Sequence, residues 1–315
     1  MESKKTMIPS KEDMVRIKGL GFLRDKTTPN CFNCRVITRN GKITSEEARA
    51  IADAAKRYGS GEIAMTTRQT IEIQRVPYEN VEALIEFLSA AGLETGGTGA
   101  RVRPVVSCKG TTCVFGLIDT YALSLAIHER FYKGYHDVKL PHKFKIAVGG
   151  CPNNCVKPDL NDLGVIGQRV PRFNAEKCRS CKVCQAEKTC PMSAVEVKNG
   201  TPVIHTDSCI NCGRCVAACP FGAFEAQTTG YSIYIGGRWG KKSARGIRLS
   251  PIFTDEEEVL AVVEKTILFF RENGMEGERF ADTITRIGFR EAEKEILSDE
   301  ILTRKEQILA EKSRG

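Results

Sequence analysis

The sequence predicts an α+β fold into which a small cysteine-rich module is inserted. Residues 31 to about 98 follow the order strand, helix, strand, helix. A capping box, Thr44-x-x-Glu47, precedes the first helix, and Gly92 ends the second. Residues of about 172–228 contain eight of the fourteen cysteines. Because a predicted hairpin at Asn199-Gly200 joins the two halves of this group, the segment is expected to form a compact inserted module.

Length and composition indicate a globular protein. The chain has 315 residues, of which 41% are hydrophobic, and this is enough for two or three domains. Apolar runs such as "AVVEKTILFF" are too short and too interrupted to span a bilayer. The polar N-terminus lacks a secretory signal. We therefore expect a cytoplasmic protein without membrane contacts.

The charge balance favours an anionic partner or cofactor. Lysine plus arginine outnumber aspartate plus glutamate by 47 to 39, which gives a formal net charge of +8. The sequence has no basic helix and no basic–aromatic stripe of the kind that binds nucleic acid. We therefore expect a small anion or an anionic cofactor rather than nucleic acid.

The cysteine-rich module has the spacing of a bacterial ferredoxin. The cytoplasm keeps thiols reduced, so these cysteines are expected to be metal ligands rather than disulfides. The second run, which ends in Cys-Pro, follows the pattern in which three cysteines hold one cluster and the fourth holds the other. The first [4Fe-4S] cluster is assigned to Cys178, Cys181, Cys184 and Cys219, and the second to Cys190, Cys209, Cys212 and Cys215.

Zinc is the alternative occupant of CxxC pairs. A third cysteine two residues beyond such a pair is rare in zinc sites, and here it occurs twice, at Cys184 and Cys215. The five-residue gap between Cys184 and Cys190 departs from the ferredoxin pattern, and a longer loop can absorb it. Between the two runs, Asn199-Gly200 predicts a β-hairpin.

Six cysteines lie outside the module. Two spaced pairs are separated by 37 residues, so a fold must bring them together before they can complete a third cluster site: Cys108 with Cys113, and Cys151 with Cys155. The last pair, Cys31 and Cys34, is interpreted as structural thiols. A redox pair or half of a metal site are its alternatives.

Several motifs resemble the sirohaem-dependent sulfite and nitrite reductases. They are "MTTRQTIEI", "RPVVSCKGTTC" and "LPHKFKIAVGGCPNNC". The inserted module, followed by "YSIYIGGRWGKK", is similar to that of the dissimilatory-type, small single-repeat sulfite reductases. The resemblance covers residues of about 30–290. It implies a ferredoxin-like half-domain and a sirohaem/[4Fe-4S] domain that carries an inserted 2×[4Fe-4S] ferredoxin module.

The resemblance also implies one sirohaem and three [4Fe-4S] clusters. Cys155 would bridge the third cluster to the sirohaem iron. Cys108 and Cys113 are separated by four residues where many relatives have five, so this loop is expected to be tighter. The ligands of the third cluster would be Cys108, Cys113, Cys151 and Cys155.

The family's anion pocket contains two lysines and two arginines. Lys143 and Lys145 in "HKFK" match the lysine pair, and on a strand both would point to one face. Arg103 matches one arginine. A hairpin two residues longer than the family's brings Arg35 into register with the other arginine, and Arg39 is the alternative.

Sirohaem carries many carboxylates, which require arginine or lysine donors. By resemblance, Arg68 in "MTTRQT" is such a donor, and Arg101 lies on the same face as Arg103. The segment "IGGRWGKKSARG" resembles a glycine-rich stretch that approaches the macrocycle, and it adds Arg238 and Arg245 as candidates. A solvated surface is the alternative for each of these arginines.

These assignments set the predicted domain boundaries. They give an N-terminal arm (1–30), a ferredoxin-like half-domain (31–100), a sirohaem/[4Fe-4S] domain (101–171 and 229–285), the inserted ferredoxin module (172–228) and a C-terminal helical tail (286–315). The half-domain is not repeated, whereas assimilatory relatives fuse two copies. This implies a homodimer or heteromer in which the cations of one chain face the sirohaem of the other.

The function implied by the resemblance is the six-electron reduction of sulfite to sulfide. Electrons would pass through the inserted module to the Cys155-linked cluster and the sirohaem. The residues expected to bind and polarise the anion are Arg35, Arg103, Lys143 and Lys145.

Two alternatives remain at this stage: nitrite reduction, and an electron-transfer subunit with a degenerate sirohaem site. The stretch "GGTGAR" lacks the strand and helix of a nucleotide-binding fingerprint. The electron donor is therefore expected to be a ferredoxin, or partner subunits with flavin or iron–sulfur centres.

Overall fold

The computed structural model describes residues 8–311. Within them the chain forms two compact units. The first contains the chain up to Val106, Ser124–Ile146 and the chain from Glu264, and the second contains Ser107–Leu123 and Ala147–Val263. Helices and strands occur in both, so the predicted α+β class is confirmed. None of the helices in this range combines the length and apolarity of a membrane span.

The first unit begins with a helix-covered sheet. Its elements are α1 (Lys11–Gly19), β1 (Phe22–Arg24), β2 (Cys31–Val36), α2 (Ser45–Tyr58), β3 (Ile63–Met65), β4 (Ile71–Pro77) and α3 (Val81–Ala90). The strands form an antiparallel sheet of order β1-β2-β4-β3. Its core is formed by apolar side chains of α2, α3 and the sheet, including Ile51, Ala54, Ile73, Leu84 and Leu88.

Local sequence signals explain the ends of these helices. The Glu47 N–H donates to Thr44 Oγ1 at 3.1 Å, and the Thr44 N–H donates to the Glu47 carboxylate at 2.7 Å. This confirms the predicted capping box. Gly92 follows α3 with a φ of +73°, a conformation that glycine adopts without strain.

The segment expected to be an N-terminal arm contains α1 and β1. Ser10 caps α1 by accepting a hydrogen bond from the Asp13 N–H, and β1 pairs with β2. Ile17 and Phe22 are at most 1% exposed and join the core of the sheet. Two apolar side chains in a polar stretch are thus enough to dock it. The first seven residues of this predicted arm lie outside the described range.

The second unit is built on a long two-stranded ribbon. The next elements along the chain are β5 (Val106–Ser107), α4 (Thr120–Ile127), a π-helical turn (His128–Lys133), β6 (Ile146–Gly149), β7 (Leu163–Phe173), α5 (Gln185–Thr189), β8 (Val195–Lys198), β9 (Thr201–Ile204), α6 (Arg214–Ala218), β10 (Phe224–Ile235) and β11 (Ile247–Arg248). Of these, the π-helical turn and α4 from Ser124 onward belong to the first unit. The main sheet has the order β11-β10-β7-β6-β5. Strands β7 and β10 pair antiparallel along their whole length.

The cysteine-rich segment is inserted at one end of this ribbon. Phe173 of β7 faces Phe224 of β10, and the residues between them form the insertion. Within it, β8 and β9 form a hairpin through Asn199 and Gly200, whose φ angles are +51° and +78°. Positive φ at both central residues is typical of a type I′ turn, so the predicted hairpin is confirmed.

The C-terminal part of the first unit is helical. It contains α7 (Glu256–Asn273), which starts in the second unit, α8 (Phe280–Ile287), α9 (Phe289–Leu297), α10 (Glu300–Thr303) and α11 (Lys305–Ala310). The segment predicted as a helical tail is thus divided into several short helices. Ser298 is extended, with a ψ of 151°, and ends α9. The resulting turns let Ile296, Ile301 and Ile308 all be buried.

Three phenylalanine rings anchor the segment that carries the lysine pair. The Phe144 ring lies 5.9 Å from that of Phe270 and 5.2 Å from that of Phe280. All three side chains are fully buried. This cluster fixes the backbone on both sides of Phe144.

Candidate functional site

Two extended segments of the first unit lie side by side in parallel. The Arg103 N–H donates to the Phe144 carbonyl at 2.8 Å, and the Phe144 N–H donates to the Arg101 carbonyl at 3.0 Å. Val102 and Phe144 are buried, while the residues that flank them are half-buried. Since side chains alternate along an extended chain, the flanking residues share the side opposite the core.

Every residue on that side is cationic. We define the basic face as Arg101, Arg103, Lys143 and Lys145. The lysine pair was expected on a strand, and the structure instead has an extended segment with a single bridge at Phe144. The two lysines nevertheless lie on the same side, next to the two arginines.

Arg35 of β2 extends toward the basic face. Its Nη1 donates to the Gly97 carbonyl at 3.4 Å, and Nη1 of Arg103 donates to the same carbonyl oxygen. Arg35 also pairs with Glu72 at 2.7 Å. Arg39 instead pairs with Glu47 of the capping box. The fold therefore brings Arg35 to Arg103, and we keep Arg35 in the proposed set.

Arg103 is the most perturbed cation of the group. Burial and the nearby charge of Arg35 lower its pKa to about 10, and Arg101 and Arg279 contribute in the same direction. Its Nε is buried without a hydrogen-bond partner among the described residues. Leaving a buried donor unpaired is costly. The donor set therefore fits an anionic ligand.

Arg68 lies against both segments of the basic face. Its Nη2 donates to the Pro104 carbonyl at 2.8 Å and approaches the Ile146 carbonyl at 3.4 Å. Each of these carbonyls belongs to the residue that follows one of the paired segments. The structure thus groups five predicted site residues of the first unit around Arg103: Arg35, Arg68, Arg101, Lys143 and Lys145.

Arg238 and Arg245 belong to the second unit. Arg238 exchanges backbone hydrogen bonds with Ala244, both at 2.9 Å. The Arg245 guanidinium pairs with the buried Asp159 at 2.9 Å, and Asp159 also accepts a hydrogen bond from Asn154. Arg245 is thereby connected to the loop between Cys151 and Cys155. It lines a cavity of about 680 Å³ to which Asn154, Gln168 and Cys209 also contribute.

The two spaced cysteine pairs meet in the second unit. The Gly150 N–H donates to Cys108 Sγ at 3.1 Å. A Cβ on Gly110 would lie 2.8 Å from Gly150 Cα, so the two loops touch where only glycines fit. Burial raises the pKa of Cys151, and charge on its neighbours raises it further: Cys108, Cys155 and Cys113. All four thiols therefore lie close to one another.

The thiols assigned to the first module cluster share one cavity. Its volume is about 210 Å³, and its lining includes all four of them together with Phe221 and Phe224: Cys178, Cys181, Cys184 and Cys219. Cys181 is exposed. A partly apolar cavity lined by four thiols fits a cubane cluster.

The thiols assigned to the second cluster also converge. Burial raises the pKa of Cys209, and Cys212 and Cys190 lie near enough for their charge to raise it further. Burial raises the pKa of Cys215 to about 11, with Cys209 and Cys212 as charged neighbours. Among the described residues no three potential ligands are close enough for one metal ion.

The second of these thiol groups is the one next to the main sheet. The Arg169 N–H of β7 donates to the Asn211 carbonyl at 2.7 Å. The Arg214 guanidinium lies 5.2 Å from the Phe115 ring, two residues after Cys113. The second group therefore lies near the loop of the spaced cysteine pairs.

Cys31 and Cys34 do not form a chelating pair. On β2 their burial differs: Cys34 is fully buried in the core, whereas Cys31 is half-buried on the other side of the strand. Residues three apart on a strand point to opposite faces. The structure therefore supports the structural-thiol interpretation.

Two residues near the basic face were not identified from the sequence. Gly97 accepts from both Arg35 and Arg103, and its N–H donates to Tyr132 Oη at 3.1 Å. Gly97 lies in the "GGTGAR" stretch, which the sequence analysis tests only for a nucleotide-binding fingerprint. The pair of adjacent glycines next to Arg101 and Arg103 was the available signal.

A buried histidine in the same region makes stability depend on pH. His128 is 0% exposed, and burial lowers its pKa to about 4. Below pH 6.5 the unfolded chain takes up a proton that the folded chain does not, so stability is lost as pH falls toward 4. The slope is about 1.4 kcal/mol per pH unit.

Between pH 7.5 and pH 5, the free energy of unfolding should fall by about 2 kcal/mol less in His128→Phe than in the wild type. Phenylalanine keeps the stacking on Tyr132, which lies 4.7 Å away between ring centroids. Anaerobic urea unfolding at the two pH values measures the difference. Equal losses in the two proteins would show that His128 already titrates normally in the folded state.

Fold and site together define an iron–sulfur redox protein with a cationic face. Models of two families match the chain: the nitrite and sulphite reductase 4Fe-4S domain over residues 98–305, and the nitrite/sulfite reductase ferredoxin-like half domain over residues 24–91. The chain therefore belongs to the nitrite and sulfite reductase family, a family of oxidoreductases.

Curated relatives carry related names. The chain is 31% identical over 292 residues to a coenzyme F420-dependent sulfite reductase of Methanocaldococcus jannaschii, covering 91% of this chain and 44% of that protein. It therefore spans less than half of that relative. It is also 31% identical over 239 residues to one of the subunits of the anaerobic sulfite reductase of Salmonella typhimurium, covering 70% and 68% of the two chains.

A solved structure shares the fold. The crystal structure of dissimilatory sulfite reductase I matches with a TM-score of 0.69 at 24% identity, over 84% of this chain and 69% of that one. This likeness supports the predicted combination of a half-domain and a 4Fe-4S domain.

Proposed function

We propose that the protein is a sulfite reductase that uses a sirohaem and three [4Fe-4S] clusters. The observation that carries this proposal is the basic face, where two paired segments present four cations on one side. Arg35 adjoins them, and the buried Nε of Arg103 lacks a partner among the described residues. Such an array is suited to binding a small anion.

The basic face would act through charge and protons. Arg35 and Arg103 are held by one backbone carbonyl, so they are positioned before an anion arrives. Lys143 and Lys145 can draw charge from the anion's oxygens and give up protons as water leaves. Arg68 and Arg101 are the proposed partners of cofactor carboxylates, with Arg238 and Arg245 as further candidates.

The cysteines would hold the redox groups. When bound, the sirohaem and clusters supply the six electrons and the site of reduction. We propose the four loop cysteines as ligands of one cluster, with Cys155 as the link to the sirohaem iron. The two groups in the inserted module would hold the other clusters. The first group contains the exposed Cys181, and the second group lies next to β7. This arrangement supports an electron route that starts at the first group.

The exposed end of the module has the character of a donor-binding surface. Arg179 and Lys182 are exposed and make no ion pair with another described residue, and Val183 and Phe221 are 56% and 50% exposed beside the first cysteine group. We propose that an acidic ferredoxin, or an acidic partner subunit, delivers electrons here. Complementary charge mainly accelerates such encounters.

Reversing the charge at this surface should slow the protein donor. Arg179→Glu combined with Lys182→Glu is expected to lower the turnover rate with an acidic ferredoxin about tenfold at low salt. The Arg24→Glu/Lys26→Glu variant makes the same change of charge on two exposed residues outside the proposed sites and is the control. A small dye donor should serve both variants equally. Equal rates with ferredoxin would place the electron entry elsewhere.

Nitrite reduction is the second candidate, because the matching family includes both activities. Steady-state rates with sulfite and nitrite, with sulfide and ammonium quantified, separate the two. We expect the larger kcat/KM for sulfite. If only nitrite is reduced, the alternative is correct. If a loaded protein reduces neither anion, it is an electron-transfer subunit.

A further inference from the structure

A buried tyrosine contacts the glycine whose carbonyl accepts hydrogen bonds from two arginines of the proposed anion site. Tyr132 is 5% exposed and lies in the π-helical turn, a geometry that is common at functional sites. Its Oη accepts a hydrogen bond from the Gly97 N–H at 3.1 Å. The carbonyl of the same residue accepts from Arg35 and Arg103. Gly97 therefore connects Tyr132 to both guanidinium groups through hydrogen bonds.

The space around this peptide allows little movement. Gly96 and Gly97 have φ angles of +153° and +75°. A Cβ on Gly96 would lie 2.8 Å from Tyr132 Oη, and one on Gly97 would lie 2.9 Å from Pro104 Cγ. Tyrosine and the two glycines are therefore packed without room for an extra methyl group, and the phenol oxygen determines where the Gly97 peptide lies.

The tyrosine itself is held in a neutral and rigid state. Its ring stacks on His128, with 4.7 Å between the ring centroids. Burial raises the pKa of Tyr132 to about 12, so the phenol stays protonated at neutral pH. The charge of the phenol therefore stays the same over the pH range in which the enzyme would be assayed.

We propose that Tyr132 is a positioning residue for the anion site. Through the Gly97 peptide it fixes the orientation of Arg35 and Arg103, and hence the affinity for a small oxyanion. This inference rests on the proposed function. It assigns Tyr132 no contact with the anion and no proton transfer.

The variant that tests it is Tyr132→Phe, which keeps the ring and removes only the oxygen. The control is Tyr135→Phe. Tyr135 lies just beyond the π-helical turn, is 6% exposed, and donates its phenol hydrogen bond to Glu264 rather than to the Gly97 peptide. Both variants lose one buried phenol hydrogen bond, so a general loss of stability should affect them alike.

Two readouts follow. In Tyr132→Phe the sulfite dissociation constant, from anaerobic optical titration, should rise about three- to tenfold, as expected for one hydrogen bond, with a smaller change in kcat. Hydrogen–deuterium exchange at residues 95–98 should also accelerate, a measurement that needs no turnover. Tyr135→Phe should change neither.

The outcomes separate this inference from the proposed function. If the wild type binds sulfite and the two variants behave alike in both measurements, the positioning role is wrong while the proposed function stands. If exchange accelerates in Tyr132→Phe without a change in affinity, the Gly97 peptide does not control the anion site and the inference also fails. A wild type that carries sirohaem and binds neither sulfite nor nitrite would instead overturn the proposed function.

Discussion

Replacing both lysines of the basic face by methionine should lower kcat/KM for sulfite by about 10²- to 10³-fold. That range is the loss seen when a preorganised donor to a developing negative charge is removed. Lys143 and Lys145 lie on one side of the segment anchored by Phe144, so a Lys143→Met/Lys145→Met protein loses two adjacent ammonium groups. Methionine keeps the length of each side chain without its charge.

Lys139→Met is the matched control for the lysine variant. Lys139 precedes the same segment, and its side chain is 64% exposed in an ion pair with Glu276. Its replacement should leave sulfite reduction within about twofold, since an exposed ion pair contributes little. Anaerobic steady-state rates, normalised to sirohaem content, measure both proteins. A double variant that retains wild-type kcat/KM would remove the lysines from the proposed mechanism.

The second large effect is expected at the loop cysteines. Cys151→Ser removes a thiolate from the four that converge in the second unit. We expect the variant to lose one cluster, about four iron atoms per chain, and nearly all sulfite reduction. The physical reason is that the serine hydroxyl is a far weaker ligand for iron than a thiolate.

The control for this variant is Cys31→Ser. Cys31 lies on β2 of the first unit, whereas all twelve cysteines assigned to clusters belong to the second unit, and its neighbour Cys34 is buried in the core. Its iron content and activity should match the wild type. Iron and acid-labile sulfide analysis give the count. Equal iron in Cys151→Ser and Cys31→Ser would contradict the ligand assignment.

Cysteine ligation could be predicted from the sequence because much of its geometry is local. In the module, three thiolates of each cluster lie within seven residues, so spacing alone reveals them. The pairs around Cys113 and Cys151 needed the fold to meet, and two glycines at their contact point explain how they do so. The hairpin and the capping box are equally local, and the structure confirms both.

Features that depend on tertiary packing were harder to predict from the sequence. The choice between Arg35 and Arg39 depended on strand register, and contacts with Gly97 and Glu47 now distinguish them. The role of Tyr132 could not be read at all, because it depends on an approach between residues 35 positions apart. The tail could be predicted only as helical, because a charged pattern does not show where the chain turns between α9, α10 and α11.

The same limit applies to the basic face. The sequence indicated which cations to expect, and alternation suggested that Lys143 and Lys145 share a side. It could not show that residues 101–103 pair with residues 143–145, since that bridge is set by burial of Val102 and Phe144. The pairing joins two separate motifs into one cationic surface, the proposed anion site.

The central claim is that this chain carries a complete sirohaem site together with three clusters. Anaerobic purification followed by optical spectroscopy and iron counting tests it most directly. The predicted result is a sirohaem absorption band and about 13 iron atoms per chain, from three four-iron clusters and one sirohaem. A protein with iron–sulfur absorption but no sirohaem band after expression with an ample sirohaem supply would contradict the claim.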